Sequence, residues 1–242
     1  MRKVLAIDIG IRNLSMCLMS CTDPNDFQSF QIHLWETVDT LEADDHLCEA
    51  IQKNDKICNK KCTYKYKNDL EWTYTCKTHY PKDRPIEKAN KFKKKLIKDY
   101  LLQTISEIVL TKIQKYHDDN IEEFEELTNI VIELQPTLNP RMKFISHIIY
   151  GKLVEIYMNS KVMIRFVSAS IKLRAYTGPC IECKLKGGYA KRKWLAIQYI
   201  RWFLENKFSE QEMNKWLPYF EGKLVKPDLS DTSLMCINVL KK

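Results

Sequence analysis

A chain of 242 residues, 29% charged and 45% hydrophobic, can bury a core in one domain with an insertion or in two small ones, which excludes an extensively disordered polymer. Its 39 Lys and Arg against 31 Asp and Glu leave a net charge of +8, which suits a polyanionic partner but also an ordinary solvated surface, so the clustering of charge must decide. The apolar run in MRKVLAIDIG meets Asp8 too soon for a secretory signal or a bilayer span, and no later segment is long enough, so the expectation is an intracellular protein with no membrane association whose nine cysteines are thiols or metal ligands.

Residues 3–9 (KVLAIDI) and 14–19 (LSMCLM) read as strands joined by a turn over residues 10–13, and 29–36 (SFQIHLWE) as a third strand of a meander. From residue 47 to residue 85 the pattern dissolves into Cys, Lys, Asn and Tyr with no sustained period, which marks an insertion. Residues 87–116 return to helical spacing through Leu96, Leu101, Ile105, Ile108, Leu110 and Ile113, predicting one long helix. The short branched run 129–134 (NIVIEL), stopped by Pro136, reads as a buried strand; 141–158 has helical spacing and 161–167 (KVMIRFV) is strand-like. After Gly187 and Gly188, residues 189–206 form a basic amphipathic helix, and 229–240 a last helix behind Pro227. The order predicts an α/β fold, a mixed central sheet flanked by helices built from residues 1–46 and 86–242 with the first strand central, and a separate cysteine-rich insertion over 47–85.

Asp8 stands inside an apolar strand just before Gly10, where a carboxylate needs a counter-charge or a metal unless it merely caps a turn. Glu133 repeats the problem between Ile132 and Leu134. In KPDLSDTSL, Asp228 and Asp231 are three apart and share a helix face, though acids there also serve as an N-cap and as first-turn complements to the helix dipole. Neighbouring strands of a mixed sheet would bring these three regions together. Their hard oxygen ligands suit magnesium or manganese, and two such ions about 4 Å apart can hydrolyse a phosphodiester without a covalent intermediate.

The blocks AIDIGIRNLSM, IVIELQPTLNPRMKFISHIIYGKL, YAKRKWLAI and KPDLSDTSLMCIN, in that order, resemble the RuvC-type Holliday junction resolvases of the ribonuclease H superfamily, above all those of poxviruses and other large DNA viruses. The resemblance implies a ribonuclease H-like fold. It makes Asp8 the first-strand aspartate, Glu133 the glutamate of the middle block, and Asp228 with Asp231 the terminal pair, all four ligating two magnesium (or manganese) ions per active site. It further implies a homodimer that makes paired symmetric nicks in four-way DNA junctions, without a small-molecule cofactor, at a cytoplasmic site of viral DNA replication. The insertion over 47–85 departs from simpler members and bears on substrate preference.

Cys58, Cys62, Cys76 and His79 give C-x3-C-x13-C-x2-H, close to spacings that hold tetrahedral zinc, with Cys48 a substitute for one ligand. The residues between are aromatic and basic (Tyr64, Lys65, Tyr66, Lys67, Trp72, Tyr74), so a structural zinc would supply the order that packing cannot. Cys180 and Cys183 lack completing ligands nearby and read as plain thiols. Lys184, Lys186, Lys191, Arg192 and Lys193 around the Gly pair are expected to contact DNA phosphates. Lys91, Lys93, Lys94 and Lys95 fit either a phosphate contact or a solvated helix face. Lys223 and Lys226 precede Asp228 and are placed to meet the scissile phosphate or balance the carboxylates, while Gln135 and Arg141 flank the middle block as backbone contacts or structural residues. Other readings are a ribonuclease H-superfamily nuclease acting on hybrid or flap substrates, and a noncatalytic zinc-bearing DNA-binding protein. An actin-like ATPase would need a second phosphate loop and a longer, two-lobed chain, and the sequence has neither.

Overall fold

The computed structural model describes residues 1–40, 46–52, 54–68, 71–92, 99–135 and 139–242. The chain divides into two compact units, Met1–Leu41 with Leu102–Lys242, and Glu42–Leu101.

The first unit opens with the expected meander: β1 (Arg2–Ile9), β2 (Asn13–Cys21) and β3 (Gln31–Asp39), each antiparallel to the next. β3 starts two residues later than the sequence predicts, because the Asp26 carboxylate accepts from the Gln28 N–H and caps a 3-10 turn over Phe27–Ser29. The turn after β1 requires Gly10: its N–H donates to the Asn13 carbonyl at 2.9 Å, and a Cβ there would lie 2.5 Å from that same oxygen. The second unit contains the hairpin β4 (Tyr64–Asn68) and β5 (Glu71–Thr75).

Helix α1 (Leu102–Asp119) is shorter than the helix expected over 87–116. Lys88–Asn90 form a 3-10 turn, Lys91 bridges to Tyr64, and the Phe92 N–H donates to the Thr63 carbonyl. Those residues have given their backbone groups to the hairpin, which no helix can do at once. Lys93, Lys94, Lys95 and Leu96 lie outside the described residues, and so does Pro136. What remains of the apolar stripe buries Ile105, Val109 and Ile113, one per turn.

β6 (Asn129–Glu133), α2 (Pro140–Tyr157) and β7 (Met163–Val167) follow as predicted, with the Asn139 side chain accepting from Met142 N–H to cap α2. The short α3 (Ile171–Arg174) leads to α4 (Gly188–Asn206). Helix α5 (Glu210–Gly222) was not anticipated, although Ser209 and Glu212 spell a capping box and the Ser209 hydroxyl accepts from the Glu212 N–H. α6 (Lys226–Leu240) begins three residues before the predicted start, with Pro227 inside its first turn.

The sheet order is β3-β2-β1-β6-β7, with β1, β6 and β7 paired in parallel and β2 antiparallel to both of its neighbours, β1 and β3. This is a mixed α/β sheet with the first strand at its centre, in keeping with the ribonuclease H-like fold that the motifs imply. Val4, Ala6, Cys17, Met19 and Trp35 bury one sheet face under α4, α5 and α6, where Trp35 stacks on Phe220 with ring centroids 5.1 Å apart. Leu5, Ile7 and Ile9 alternate to the other face and are buried as well. A central parallel strand covered on both faces has to be apolar throughout, which is why Asp8 is conspicuous.

Candidate active site

Strand pairing puts the first two carboxylates together. β1 and β6 run in parallel with Ile7 opposite Ile132, so the next residues, Asp8 and Glu133, emerge side by side at the same end of adjoining strands. Helix α6 packs across β1 and β2 and presents Asp231, 6% exposed, to the same point. Side-chain oxygens of Asp8, Glu133 and Asp231 all lie within 4.8 Å of one another. Asp228, one turn earlier on α6, is outside this trio but tied to it: the Lys193 ammonium donates to Asp228 Oδ1 at 3.0 Å and to Asp231 Oδ2 at 2.8 Å. The alternative reading of Asp228 as an N-cap does not hold, since Val225 is the cap residue and Asp228 sits within the first turn.

A second ammonium completes the arrangement. Lys172, on α3 and 6% exposed, donates to Glu133 Oε2 at 2.7 Å and Asp231 Oδ2 at 2.8 Å. Burial works to lower its pKa, but Asp8, Asp231 and Glu133 outweigh burial and raise it, so the side chain stays charged. Lys193 is likewise raised, by Asp231 and Asp228 against burial. Four carboxylates against two ammonium groups leave a negative excess, and it is expressed at Asp8. Burial first, then a hydrogen bond with Glu133 that favours the protonated form, push the Asp8 pKa up to about 7. A convergent, oxygen-only set of acids with charge left to neutralise fits a hard divalent cation.

The structure brings some predicted residues here and places others elsewhere. Lys193 was expected on a phosphate, but its Nζ is within the carboxylate cluster. Of the two roles expected for Lys223 and Lys226, meeting the scissile phosphate or balancing the carboxylates, the second is filled by neither: the Lys223 ammonium stands 4.3 Å from the Tyr219 ring centroid, and that of Lys226 is 3.7 Å from Glu221. Lys172 and Lys193 carry that charge instead. Gln135 is buried at 8% exposure and Arg141 half-buried, whereas Lys184, Lys186, Lys191 and Arg192 are exposed around Gly187, whose φ of +99° only glycine adopts without strain. Lys172 escaped the sequence reading altogether; a single lysine between Ile171 and Leu173 carries no signal of its own.

A second cluster belongs to the other unit. Cys48, Cys58, Cys76 and His79 place four ligand atoms within 4.8 Å of one another. The spacing puts Cys62 in this set with Cys48 as a substitute for one ligand, and it is the substitute that joins. The backbone decides this: the Cys48 N–H donates to Lys60 O and the Asn59 N–H to Cys48 O, so a ladder pins Cys48 beside Cys58, with Asn59 at a positive φ of 51° making the bend. The Cys62 thiol instead donates to the Tyr64 carbonyl at 2.9 Å. Cys180 is exposed and Cys183 half-buried, and neither joins a metal-ligating group among the described residues.

No helix among the described residues is long and apolar enough to cross a membrane. No protein-family model matches the chain. The uncharacterized protein L451 of Acanthamoeba polyphaga mimivirus is 29% identical over 224 residues, which cover 83% of this chain and 52% of that protein, so the chain spans about half the length of the curated relative it matches. Similar solved structures include the yeast mitochondrial Holliday junction resolvase Ydc2 (TM-score 0.47, 14% identity, 99% of this chain and 78% of that one). They include the Fowlpox virus resolvase in complex with its substrate Holliday junction DNA (TM-score 0.42, 12% identity, 99% of each chain). A third is Thermus thermophilus RuvC in complex with a Holliday junction substrate (TM-score 0.44, 8% identity, 97% and 91%). These three structures are all of Holliday junction resolvases.

Proposed function

We propose that the chain is a magnesium-dependent endonuclease of branched DNA, a Holliday junction resolvase of the RuvC type. The observation that carries this reading is the convergence of Asp8, Glu133 and Asp231, from three distant segments, on one point at the strand ends. Asp8, Glu133 and Asp231 would hold the metal, with Asp228 beside them, and bound there magnesium supplies Lewis-acid polarisation of a phosphate and an activated water. Lys172 and Lys193 hold the carboxylates in place and limit their mutual repulsion, so that the cluster exists before a metal arrives. The exposed Lys184, Lys186, Lys191 and Arg192 would bind the DNA backbone, with Gln135, Arg141, Lys223 and Lys226 at the margins of the segments that carry the acids.

Paired symmetric nicks need two such sites, hence a homodimer. A role in resolving replication or recombination intermediates of a viral genome, at the site of its replication, is in keeping with the mimivirus relative. In the second unit, three sulfur ligands and one imidazole suit a structural zinc, four protein ligands leaving no position for water.

The test is cleavage of a fixed four-way junction, an RNA/DNA hybrid and a flap by the purified chain, with and without magnesium. Symmetric nicking of the junction alone is the expected result. Preferential hybrid or flap cleavage would place the protein elsewhere in the ribonuclease H superfamily, and junction binding without nicking in any divalent metal would make it a DNA-binding protein with structural carboxylates.

A further inference from the structure

The second unit carries 15 Lys and Arg against 10 Asp and Glu, a net +5 of the chain's +8 in about a quarter of its length. A metal cluster that only held this unit together would not require such a charge. The β4–β5 hairpin distributes it unevenly between its two faces.

Antiparallel pairing sets Lys65 opposite Tyr74 and Lys67 opposite Trp72, and since alternate residues share a face, these four lie on one side of the hairpin. None is acidic; Glu71 pairs with Asn68 and belongs to the other side. That other side is occupied: Tyr64 and Tyr66 both pack on Tyr80, and the Arg84 guanidinium covers Tyr66 at 4.8 Å. The basic side has one end closed as well, where His46 stacks on Tyr74 and Phe92 meets its edge. At the remaining end stand Trp72, 48% exposed, with the Lys65 ammonium 4.4 Å from its ring centroid, and exposed Lys67. Neither lysine forms an ion pair among the described residues. An indole half in solvent, with one ammonium over its ring and a second lysine paired with it across the ladder, and no acid among the four residues of this face, has the features of a platform for one nucleobase flanked by phosphates. A protein partner would find little apolar area there beyond the single ring.

From this face we infer that the second unit is a nucleic-acid grip, in which Trp72 stacks on an unpaired base and Lys65 and Lys67 neutralise the adjoining phosphates. The inference rests on the reading that the chain acts on branched DNA, where a branch point offers unstacked bases. It assigns to the inserted unit the recognition of single-stranded character.

Binding of the full chain to an oligothymidine single strand and to a fixed four-way junction, without magnesium and over a range of salt, tests it. Trp72→Ala should weaken single-strand binding roughly tenfold, the scale of one lost base stack, whereas Trp72→Phe should retain most of it. Lys65→Gln with Lys67→Gln should lower the salt dependence of single-strand binding by about 1.4 in log–log slope, two phosphates lost. Trp72 fluorescence, taken as the difference between the chain and Trp72→Phe, should be quenched on binding. Zinc content and melting temperature of each variant establish that it is folded. Unchanged affinity and slope in folded variants overturn the inference, and so does an unchanged affinity accompanied by a change of oligomeric state, which would mean that a second copy covers this face. Because magnesium is absent, a chain that grips DNA through Trp72 but never nicks a junction would sink the nuclease reading alone, and a nicking chain indifferent to Trp72 would sink this one alone.

Discussion

Lys172 Nζ lies 2.7 Å from Glu133 Oε2 in surroundings that leave the lysine 6% exposed, so a cation already sits among the acids of the site. Removing that ammonium leaves the half-buried Glu133 without its cation and Asp231 with Lys193 alone. Lys172→Met should therefore destabilise the metal-free protein by about 3–5 kcal/mol in urea titration, the usual cost of breaking a buried pair. Magnesium should recover more stability in the variant than in the parent, and an equal gain in both would show that metal and lysine do not serve the same carboxylates.

Asp8→Asn, Glu133→Gln and Asp231→Asn should each reduce junction nicking by at least about 100-fold while leaving junction affinity near that of the parent, because the metal ligands are lost and the basic surface is not. Asp228→Asn, outside the close trio, should cost less. Gel-resolved single-turnover nicking beside a binding titration measures both, and wild-type nicking by Asp8→Asn would refute the metal assignment.

With the Asp8 pKa raised to about 7, the folded protein holds a proton that the unfolded chain, near 3.8, has released. The contribution of Asp8 to stability is thus fully present below about pH 4 and is lost as pH rises through 7 in the metal-free protein. Subtracting the stability of Asp8→Asn from that of the parent across pH 4–8 should give a difference that falls over this range. Magnesium capture must expel the same proton, so calorimetry at pH 6 should record proton release that fades above pH 7. A flat difference and no release would mean that Asp8 is ionised throughout.

Cys48→Ser should lose zinc and unfold the second unit, while Cys62→Ser should keep about one zinc per chain, the stoichiometry of a single four-ligand site. Elemental analysis of the two variants side by side decides between the ligand set gathered by the backbone and the one spelled by the C-x3-C spacing.

The Trp35 indole N–H donates to the Leu229 carbonyl at 2.9 Å, two residues from Asp231, and so anchors the first turn of α6 to β3. Trp35→Phe removes that donor while the Thr232 and Ser233 hydroxyls still donate to the carbonyl, and should cost roughly 0.5–1.5 kcal/mol in chemical denaturation, the net worth of one hydrogen bond. Nicking should fall as well, since the displaced turn carries Asp228 and leads into the turn of Asp231. A stable variant with full activity would show that α6 is positioned by packing alone.

The strands and most helices of the first unit are legible in the order of residues, because each is a local apolar period, and so are Asp8 and Glu133, because a carboxylate inside such a period has no local reason to be there. α5 was equally local and legible in its Ser209–Glu212 capping box, though the period alone did not point to it. The remainder depends on which distant segments meet. Lys172 entered the site, and Lys193 left its expected phosphate for Asp228 and Asp231, because charge balance depends on which side chains meet across separations of 39, 59, 35 and 38 residues. Cys48 displaced Cys62 for a related reason: spacing counts residues, but a ligand set is chosen by the backbone ladder that turns each thiol inward or away. The helix expected over 87–116 lost its first part to the hairpin, since a backbone N–H satisfied by Thr63 cannot also sustain a helical turn.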